Sequence, residues 1–151
     1  MQANTSNQGT TDRVPGGALT NIEAVYPLSP MQEGMLFHTL MNPGTGIYLM
    51  QNRYCVEGDL DQAVFRRAWI QVIARHSILR TSFVWKSQKR PLQAVHKEVD
   101  VPLDIMDWRE KNRANQIADL DTLLQQELVQ GFDFAKPPLM RLRLIRVNDR
   151  S

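Results

Sequence analysis

The chain has 151 residues, a hydrophobic content of 42%, a charged content of 23% and a formal net charge of +2, which are typical of one soluble globular domain. The small net charge, without a basic run interleaved with aromatic residues, argues against a nucleic-acid partner. No apolar stretch is long enough to cross a membrane, and the lone cysteine, Cys55, argues against a disulfide framework or a cysteine-based metal site. The polar N-terminus lacks the apolar core of a signal peptide, so we expect a cytoplasmic protein.

Residues 1–20 are rich in Asn, Gln, Thr, Ser and Gly and contain the run Val14-Pro15-Gly16-Gly17. Such a composition buries little apolar surface and therefore predicts a disordered leader. The alternative interpretation is a docking segment for an upstream partner. In either case we expect the folded domain to cover residues 21–151.

The first predicted helix begins after Ser29. Ser29 is a favourable N-cap, Pro30 suits the first helical position, and Gln32 completes a capping box. The apolar side of this helix is formed by Met31, Met35, Leu36 and Leu40. Gly34 inside the helix costs about 1 kcal/mol relative to alanine, which suggests close packing against another backbone.

Residues 47–56 predict a strand because apolar side chains alternate along them. The predicted buried face carries Tyr48, Met50, Tyr54 and Val56. Cys55 lies within this strand among apolar residues, and we interpret it as a small core side chain rather than a nucleophile.

A second helix is predicted after Gly58, with Asp59 as its N-cap and Gln62 three residues later. Apolar residues at four-residue spacing predict one broad buried face on this helix. They are Leu60, Val64, Ala68 and Val72, with Phe65, Trp69 and Ile73 beside them. After Ser77 the period changes to alternation from Leu79 onwards, which predicts a strand.

The remaining sequence predicts three more strands and one helix. The strands cover residues 92–95, after a turn at 87–91, residues 101–108, and residues 139–147 with one solvent-facing side. The helix covers residues 114–128 and is stopped by Gly131. Helices and strands alternate irregularly, so we predict an α+β fold with a mixed sheet backed by helices.

No glycine-rich phosphate loop, G-x-S-x-G sequence or cysteine cluster is present, which leaves three histidines as candidate chemical groups. His38 follows a helix face that could line a cleft, and we expect His96 to be exposed. His76 lies between Arg75 and Arg80; its simplest interpretation is that it satisfies buried backbone groups at the helix end. If Arg80 is buried, we expect it to form a structural ion pair.

Two stretches resemble the condensation domains of nonribosomal peptide synthetases. Residues 26–38 resemble the first core motif of that family, and residues 75–83 match its second core motif, R-H-x-x-L-R-T-x-F, at every fixed position. The resemblance covers residues 22–147. It implies a chloramphenicol-acetyltransferase-like sandwich of two lobes, of which this chain is the N-terminal lobe, incomplete at the C-terminus.

The resemblance also implies an activity and its partners. A condensation domain forms a peptide bond between a donor acyl or peptidyl thioester and an acceptor aminoacyl thioester held on carrier proteins. The carrier proteins supply 4'-phosphopantetheine, and no metal is required. The expected partners are these carrier domains, the remaining C-terminal lobe and an adjacent adenylation domain.

Motif matching assigns supporting roles to six residues and a catalytic role to none. Ser29 and Gln32 are expected to fix the helix at the tunnel entrance, with His38 near the tunnel. Arg75, His76 and Arg80 are expected to support the site from behind, and Arg80 is a candidate partner for the aspartate of the family's third motif.

That third motif, H-H-x-x-x-D-G, does not occur in the chain. Its second histidine handles the proton of the attacking amine in the family, so we predict that this chain alone is inactive. The alternatives are an epimerisation or heterocyclisation relative, another acyltransferase of the same superfamily, and a non-catalytic fragment that docks a carrier protein.

Overall fold

The five strands within the described residues form two separate sheets. The computed structural model describes residues 21–86 and 88–149, so the predicted leader lies outside the described residues. In the first sheet β3 (Leu92–His96) is central and pairs antiparallel with β1 (Ile22–Pro27) and with β2 (Thr81–Val84). In the second, β4 (Leu103–Asp107) pairs parallel with β5 (Leu142–Arg146). The predicted α+β class is confirmed. The antiparallel strand pairs lie in the first sheet and the parallel pair lies in the second.

Three α-helices of the described ranges accompany these sheets. They are α1 (Pro30–Met41), α2 (Gln62–Arg75) and α3 (Arg113–Gln130), and α3 is the crossover connection that a parallel pair such as β4 and β5 requires. A short 3₁₀-helix, Ser77–Arg80, separates α2 from β2, so the strand begins later than the predicted alternation from Leu79. Strand β1 was not predicted, because its side chains are half-buried or exposed and give a weak pattern.

The predicted start of α1 is confirmed. The Gln32 backbone N–H donates to Ser29 Oγ at 3.3 Å, and the Ser29 N–H donates to Gln32 Oε1 at 2.8 Å, which completes the capping box. Of the four apolar residues predicted for its buried side, Leu36 alone is buried. A Cβ atom placed on Gly34 would have no neighbour within 4 Å, so the predicted close packing is wrong for the described part of the chain.

Helix α2 begins two residues later than predicted. Asp61, not Asp59, is its N-cap, and its Oδ1 accepts hydrogen bonds from Ala63 N at 2.8 Å and Val64 N at 3.0 Å. These backbone donors, that of Val64 first, lower the pKa of Asp61 because they stabilise its charged form. The predicted N-cap is wrong because a carboxylate at position 59 is too far from these amides.

The broad buried face predicted for α2 is also wrong. Ile73 is buried, whereas Val64 and Val72 of the predicted face are 49% and 38% exposed. The helix packs through a narrower edge that includes Phe65 and Trp69, whose rings meet edge to face with centroids 6.5 Å apart. Part of the apolar surface of α2 is therefore left open.

The predicted strand at 47–56 is wrong. Residues 43–60, here called the connecting segment, run from α1 to α2 without strand pairing. Alternating apolar residues form a strand only where another strand supplies backbone partners, and none of the described strands pairs with this segment. Cys55 is exposed rather than part of the core, and Met50 and Tyr54 are each 82% exposed.

The apolar core of the described residues is small. Its buried side chains are Leu28, Leu36, Ile73, Ala94, Val95, Leu103 and Trp108. Many other large apolar side chains remain accessible, which leaves room for an extended apolar groove. Among the described residues no helix has both the length and the apolar character that crossing a bilayer requires.

Candidate functional site

A large open groove lies between α1, the connecting segment, α2, α3 and the β4–β5 sheet. Its volume is about 1820 Å³. Apolar side chains from all these elements line it, among them Leu36, Leu49, Phe65, Trp69, Trp108 and Leu124. Binding sites for compact small molecules usually measure about 300–1,000 Å³. The groove is therefore large enough for an extended chain.

The connecting segment forms one wall of the groove and is attached at two places to α3. Gln51 Nε2 donates to the Leu124 carbonyl at 3.0 Å. Gly46 has a positive φ of 66°, and a Cβ atom placed there would lie 3.0 Å from the Leu128 side chain. Glycine is therefore required at this position both for its backbone conformation and for the close approach to α3.

Ser29 and Gln32 join α1 to the antiparallel sheet at the edge of the groove. Gln32, which lines the groove, donates from Nε2 to Gln93 Oε1 on β3 at 3.3 Å. Gln93 Nε2 in turn donates to the Pro27 carbonyl on β1 at 3.2 Å. The capping glutamine thus links the start of α1 to two strands.

His38 lies beside Tyr48 rather than in the lining of the groove. Its Nδ1 is 3.0 Å from the Tyr48 hydroxyl, and the two rings are nearly parallel, at 9°. Tyr48 lines the groove, and His38 is not among the lining residues. Sequence reasoning singled out the histidine but missed this tyrosine partner, which it had assigned to a strand.

Arg80 is buried and joins three parts of the fold. Its Nη1 forms a salt bridge with Glu23 on β1 at 2.7 Å, as expected for a structural ion pair. The same guanidinium donates to the Ile73 carbonyl at 3.2 Å, to that of Ala74 at 3.3 Å and to the carbonyl of His96. The end of α2, β1 and the end of β3 therefore meet at this side chain.

Arg75 and His76 are exposed at the end of α2. His76 is the C-cap residue, and its backbone N–H donates to the Val72 carbonyl at 3.1 Å. The contact with the helix end is thus made by the His76 backbone, while its imidazole is exposed. Arg75, His76 and Arg80 are not among the residues that line the groove.

The predicted exposure of His96 is wrong. The side chain is half-buried, and its Nε2 lies 2.8 Å from the Oγ of Ser82, which is 2% exposed. Burial lowers the pKa of His96 because it disfavours the charged imidazolium. Since Ser82 is inaccessible and lies outside the groove lining, this pair joins β2 to β3 and does not form a nucleophilic site.

An ion network that sequence reasoning missed connects α3 to the β4–β5 sheet. Glu127 of α3 pairs with Arg141 and with Arg143, whose Nε lies 2.8 Å from Glu127 Oε1. Arg143 also pairs with Asp104 at 2.6 Å. Burial raises the pKa of Glu127, but hydrogen bonds from Arg143 and Arg141 outweigh burial, so the net shift is downward.

The groove lining combines apolar side chains with many polar and charged ones, and Glu127, Arg141 and Arg143 of the ion network are among them. Within residues 21–86 and 88–149, no three His, Cys, Asp or Glu side chains are arranged to hold a metal ion. The groove can accommodate an extended molecule with apolar and polar parts, and polar groups such as Gln32 and Tyr48 can orient it.

Comparison with known sequences identifies relatives for most of the chain. The family model described as Condensation domain matches residues 22–151. A linear gramicidin synthase of Brevibacillus parabrevis is 46% identical over 127 residues, which are 84% of this chain and 2% of that protein. Bacitracin synthase 3 of Bacillus licheniformis is 38% identical over 132 residues, which are 87% of this chain and 2% of that protein.

A solved structure has the same fold. The starter condensation domain of rhizomide synthetase RzmA superposes with a TM-score of 0.68 at 21% identity, over 85% of this chain and 32% of that one. The predicted chloramphenicol-acetyltransferase-like class is thereby confirmed, and the fold is that of peptide synthetase domains. The chain belongs to the condensation domain family. It spans about a third of the length of that solved chain and a small part of its curated relatives.

Proposed function

We propose that this chain forms the groove-bearing part of a condensation domain that joins a donor acyl or peptidyl thioester to an acceptor aminoacyl thioester. The observation that carries the proposal is the family match over residues 22–151. In this chain the helices and sheets border an open groove with apolar side chains. A thioester-linked acyl or peptidyl chain is long and carries both apolar and amide groups, and the volume and mixed lining of the groove suit it.

In the proposed reaction the acceptor amine attacks the carbonyl carbon of the donor thioester. A C–N bond forms, the C–S bond breaks, and the amine proton leaves as the donor thiol is released. General acid–base catalysis of such a transfer contributes about 10²- to 10⁴-fold to the rate. Because the 151 residues contain no H-H-x-x-x-D-G sequence, we propose that they do not catalyse the reaction by themselves.

The proposed partners follow from the synthetase relatives. Peptidyl or acyl carrier domains present both thioesters on 4'-phosphopantetheine, the C-terminal lobe forms the far wall of the tunnel, and an adenylation domain loads the acceptor. We place this chain in the cytoplasm as part of the same proposal. In this proposal residues 21–151 form the domain part, and residues 1–20 are a leader or a candidate docking segment.

The six residues singled out from the motifs have supporting roles in this proposal. Ser29 and Gln32 fix the start of α1 against the sheet, and His38 acts at the groove through Tyr48. Arg80 supports the packing behind the groove through its carbonyl contacts, and Arg75 and His76 belong to the adjoining exposed helix end.

The test is a condensation assay on the full-length protein that carries this chain, with two carrier proteins loaded with different aminoacyl groups. We expect mass spectrometry to detect an amide-linked product on the acceptor carrier. The isolated 151-residue chain is the matched control and should give none. Peptide formed by that control would contradict the proposed inactivity.

The same assay separates the competing functions. A heterocyclisation domain would give a product one water lighter with a cysteine or serine acceptor. An epimerisation domain would change only the configuration of the loaded residue. A docking fragment would bind the carrier without forming a bond, and failure of the full-length protein with every donor would refute the condensation proposal.

A further inference from the structure

We infer that Tyr48 contacts the thioester-bearing substrate on the wall of the groove, and that His38 is the positioning residue that holds the Tyr48 hydroxyl in place. The inference rests on the proposed function and extends it to two residues. The substrate feature recognised is an amide N–H of the extended acyl or peptidyl chain, including those of the pantetheine arm.

The first support is the geometry of the pair. The Tyr48 hydroxyl lies 3.0 Å from His38 Nδ1, and the ring centroids are 6.4 Å apart with an interplanar angle of 9°. When the hydroxyl donates its proton to the imidazole, its own lone pairs remain free. A phenol oxygen held in this way can accept a hydrogen bond from a ligand N–H.

The second support is the backbone around Tyr48. Tyr48 has φ of 64°, in the left-handed region that residues other than glycine rarely adopt. The turn that imposes it is closed by a hydrogen bond of 2.9 Å from the Leu49 N–H to the Gly46 carbonyl. Gly46 itself packs on Leu128 of α3. Such strained positions persist where the surrounding structure fixes them, and they are frequent at ligand sites.

The third support is the position of the two side chains. Tyr48 lines the groove and is 52% exposed, so a ligand can reach it, whereas His38 lies outside the lining. The neighbouring wall from α1 is largely apolar and includes Met35, Leu36 and Leu40. Beside such apolar side chains, a polar group that faces the ligand helps to determine how the ligand is oriented.

Steady-state kinetics of the full-length protein test the inference, with a synthetic acyl-pantetheine thioester as donor and an aminoacyl N-acetylcysteamine thioester as acceptor. Tyr48→Phe removes the hydroxyl but keeps the ring. We expect the donor KM to rise about fivefold, the value of one neutral hydrogen bond, with kcat unchanged. His38→Ala should raise the donor KM similarly, and His38→Asn, which keeps an acceptor near the Nδ1 position, should restore most of the loss.

The double variant shows whether His38 acts through Tyr48. We expect His38→Ala combined with Tyr48→Phe to be no worse than Tyr48→Phe alone. The matched control is Tyr26→Phe, at a half-exposed tyrosine on β1 outside the groove lining, which should leave both constants unchanged.

A Tyr48→Phe variant with the wild-type donor KM, or effects of the two substitutions that add, would overturn the inference. Condensation by the wild type with either of these results leaves the proposed function standing. Absence of product from the wild type overturns the proposed function, and the inference falls with it.

Discussion

Arg80 Nη1 lies 2.7 Å from the carboxylate of Glu23, yet the two partners of this ion pair have very different surroundings. The Arg80 side chain is 9% exposed and that of Glu23 is 50% exposed. Arg80 also donates to carbonyl groups at the ends of α2 and β3, in hydrogen bonds that are buried or partly buried. The importance of Arg80 for stability therefore lies mainly in its carbonyl contacts.

We expect Arg80→Ala to lower the free energy of unfolding by about 3 to 5 kcal/mol, because it leaves buried acceptors unpaired. Glu23→Gln should cost less than about 1 kcal/mol, since the carboxylate is half exposed to solvent. Arg80→Lys, which keeps the charge but not the planar fork of donors, should fall between them. Urea unfolding followed by circular dichroism measures the three values. Equal losses for Arg80→Ala and Glu23→Gln would show that the ion pair dominates.

Glu127→Gln tests the network that joins α3 to β5. We expect a loss of about 2 kcal/mol, because Arg141 and Arg143 lose a partly buried counter-charge. The matched control is Asp104→Asn, which removes the 66% exposed partner of Arg143 and should cost less than about 1 kcal/mol. Urea unfolding at pH 7 gives both numbers, and a larger loss for Asp104→Asn would contradict this assignment.

The same ion network predicts that folding stability depends on pH in the acid range. The pKa of Glu127 in the folded state lies below its ordinary value of 4.5. Its contribution to stability is therefore complete above that value and is lost as the pH falls through the folded-state pKa. The stability difference between the wild type and Glu127→Gln should shrink over that range. A stability difference that does not change with pH would mean that the charge of the Glu127 carboxylate is not the source of the stabilisation.

The partly buried His96 should give stability a second pH dependence, at a higher pH than that of Glu127. Its folded-state pKa lies below the ordinary value of 6.5 because the imidazole is partly buried against Ser82. The unfolded chain therefore takes up a proton more readily, and stability should fall as the pH drops below 6.5. Melting temperatures at pH 7.5 and 5.5 measure this effect. In His96→Gln, which cannot be protonated, the difference between the two melting temperatures should be smaller.

Replacing glycine by alanine should have opposite effects on stability at Gly34 and at Gly131. Gly34→Ala should stabilise the described fold by about 1 kcal/mol, because the position is helical and open. Gly131→Ala should destabilise it by about 1 kcal/mol or more, because φ is 56° at the end of α3. Urea unfolding of the isolated chain compares them. A loss of stability in Gly34→Ala would instead indicate that another part of the protein packs against this position.

Features that depend on residues close in sequence were predictable. The capping box of Ser29 and Gln32 needs only a three-residue spacing, and the end of α3 needs only Gly131. The β2–β3 pair follows from two short apolar runs around a turn. In these places local propensity and the final structure agree.

Features that depend on distant partners could not be predicted in the same way. Residues 47–56 have a strand pattern, but a strand also needs a neighbour, and no described strand pairs with them. The contact of His96 with Ser82 and that of Glu127 with Arg141 and Arg143 join separate elements. The six candidate site residues came from motifs, whereas the groove and Tyr48 emerged only from the folded arrangement.

All three tryptophans of the chain, Trp69, Trp85 and Trp108, line the same groove. Indole emission shifts to the blue when water is displaced from around the ring, so the partly exposed Trp69 and Trp85 report on this one surface, whereas Trp108 is already buried. An acyl chain entering the groove would change the emission spectrum without any attached dye. The protein thus carries an optical probe with which the proposed binding of a donor can be titrated.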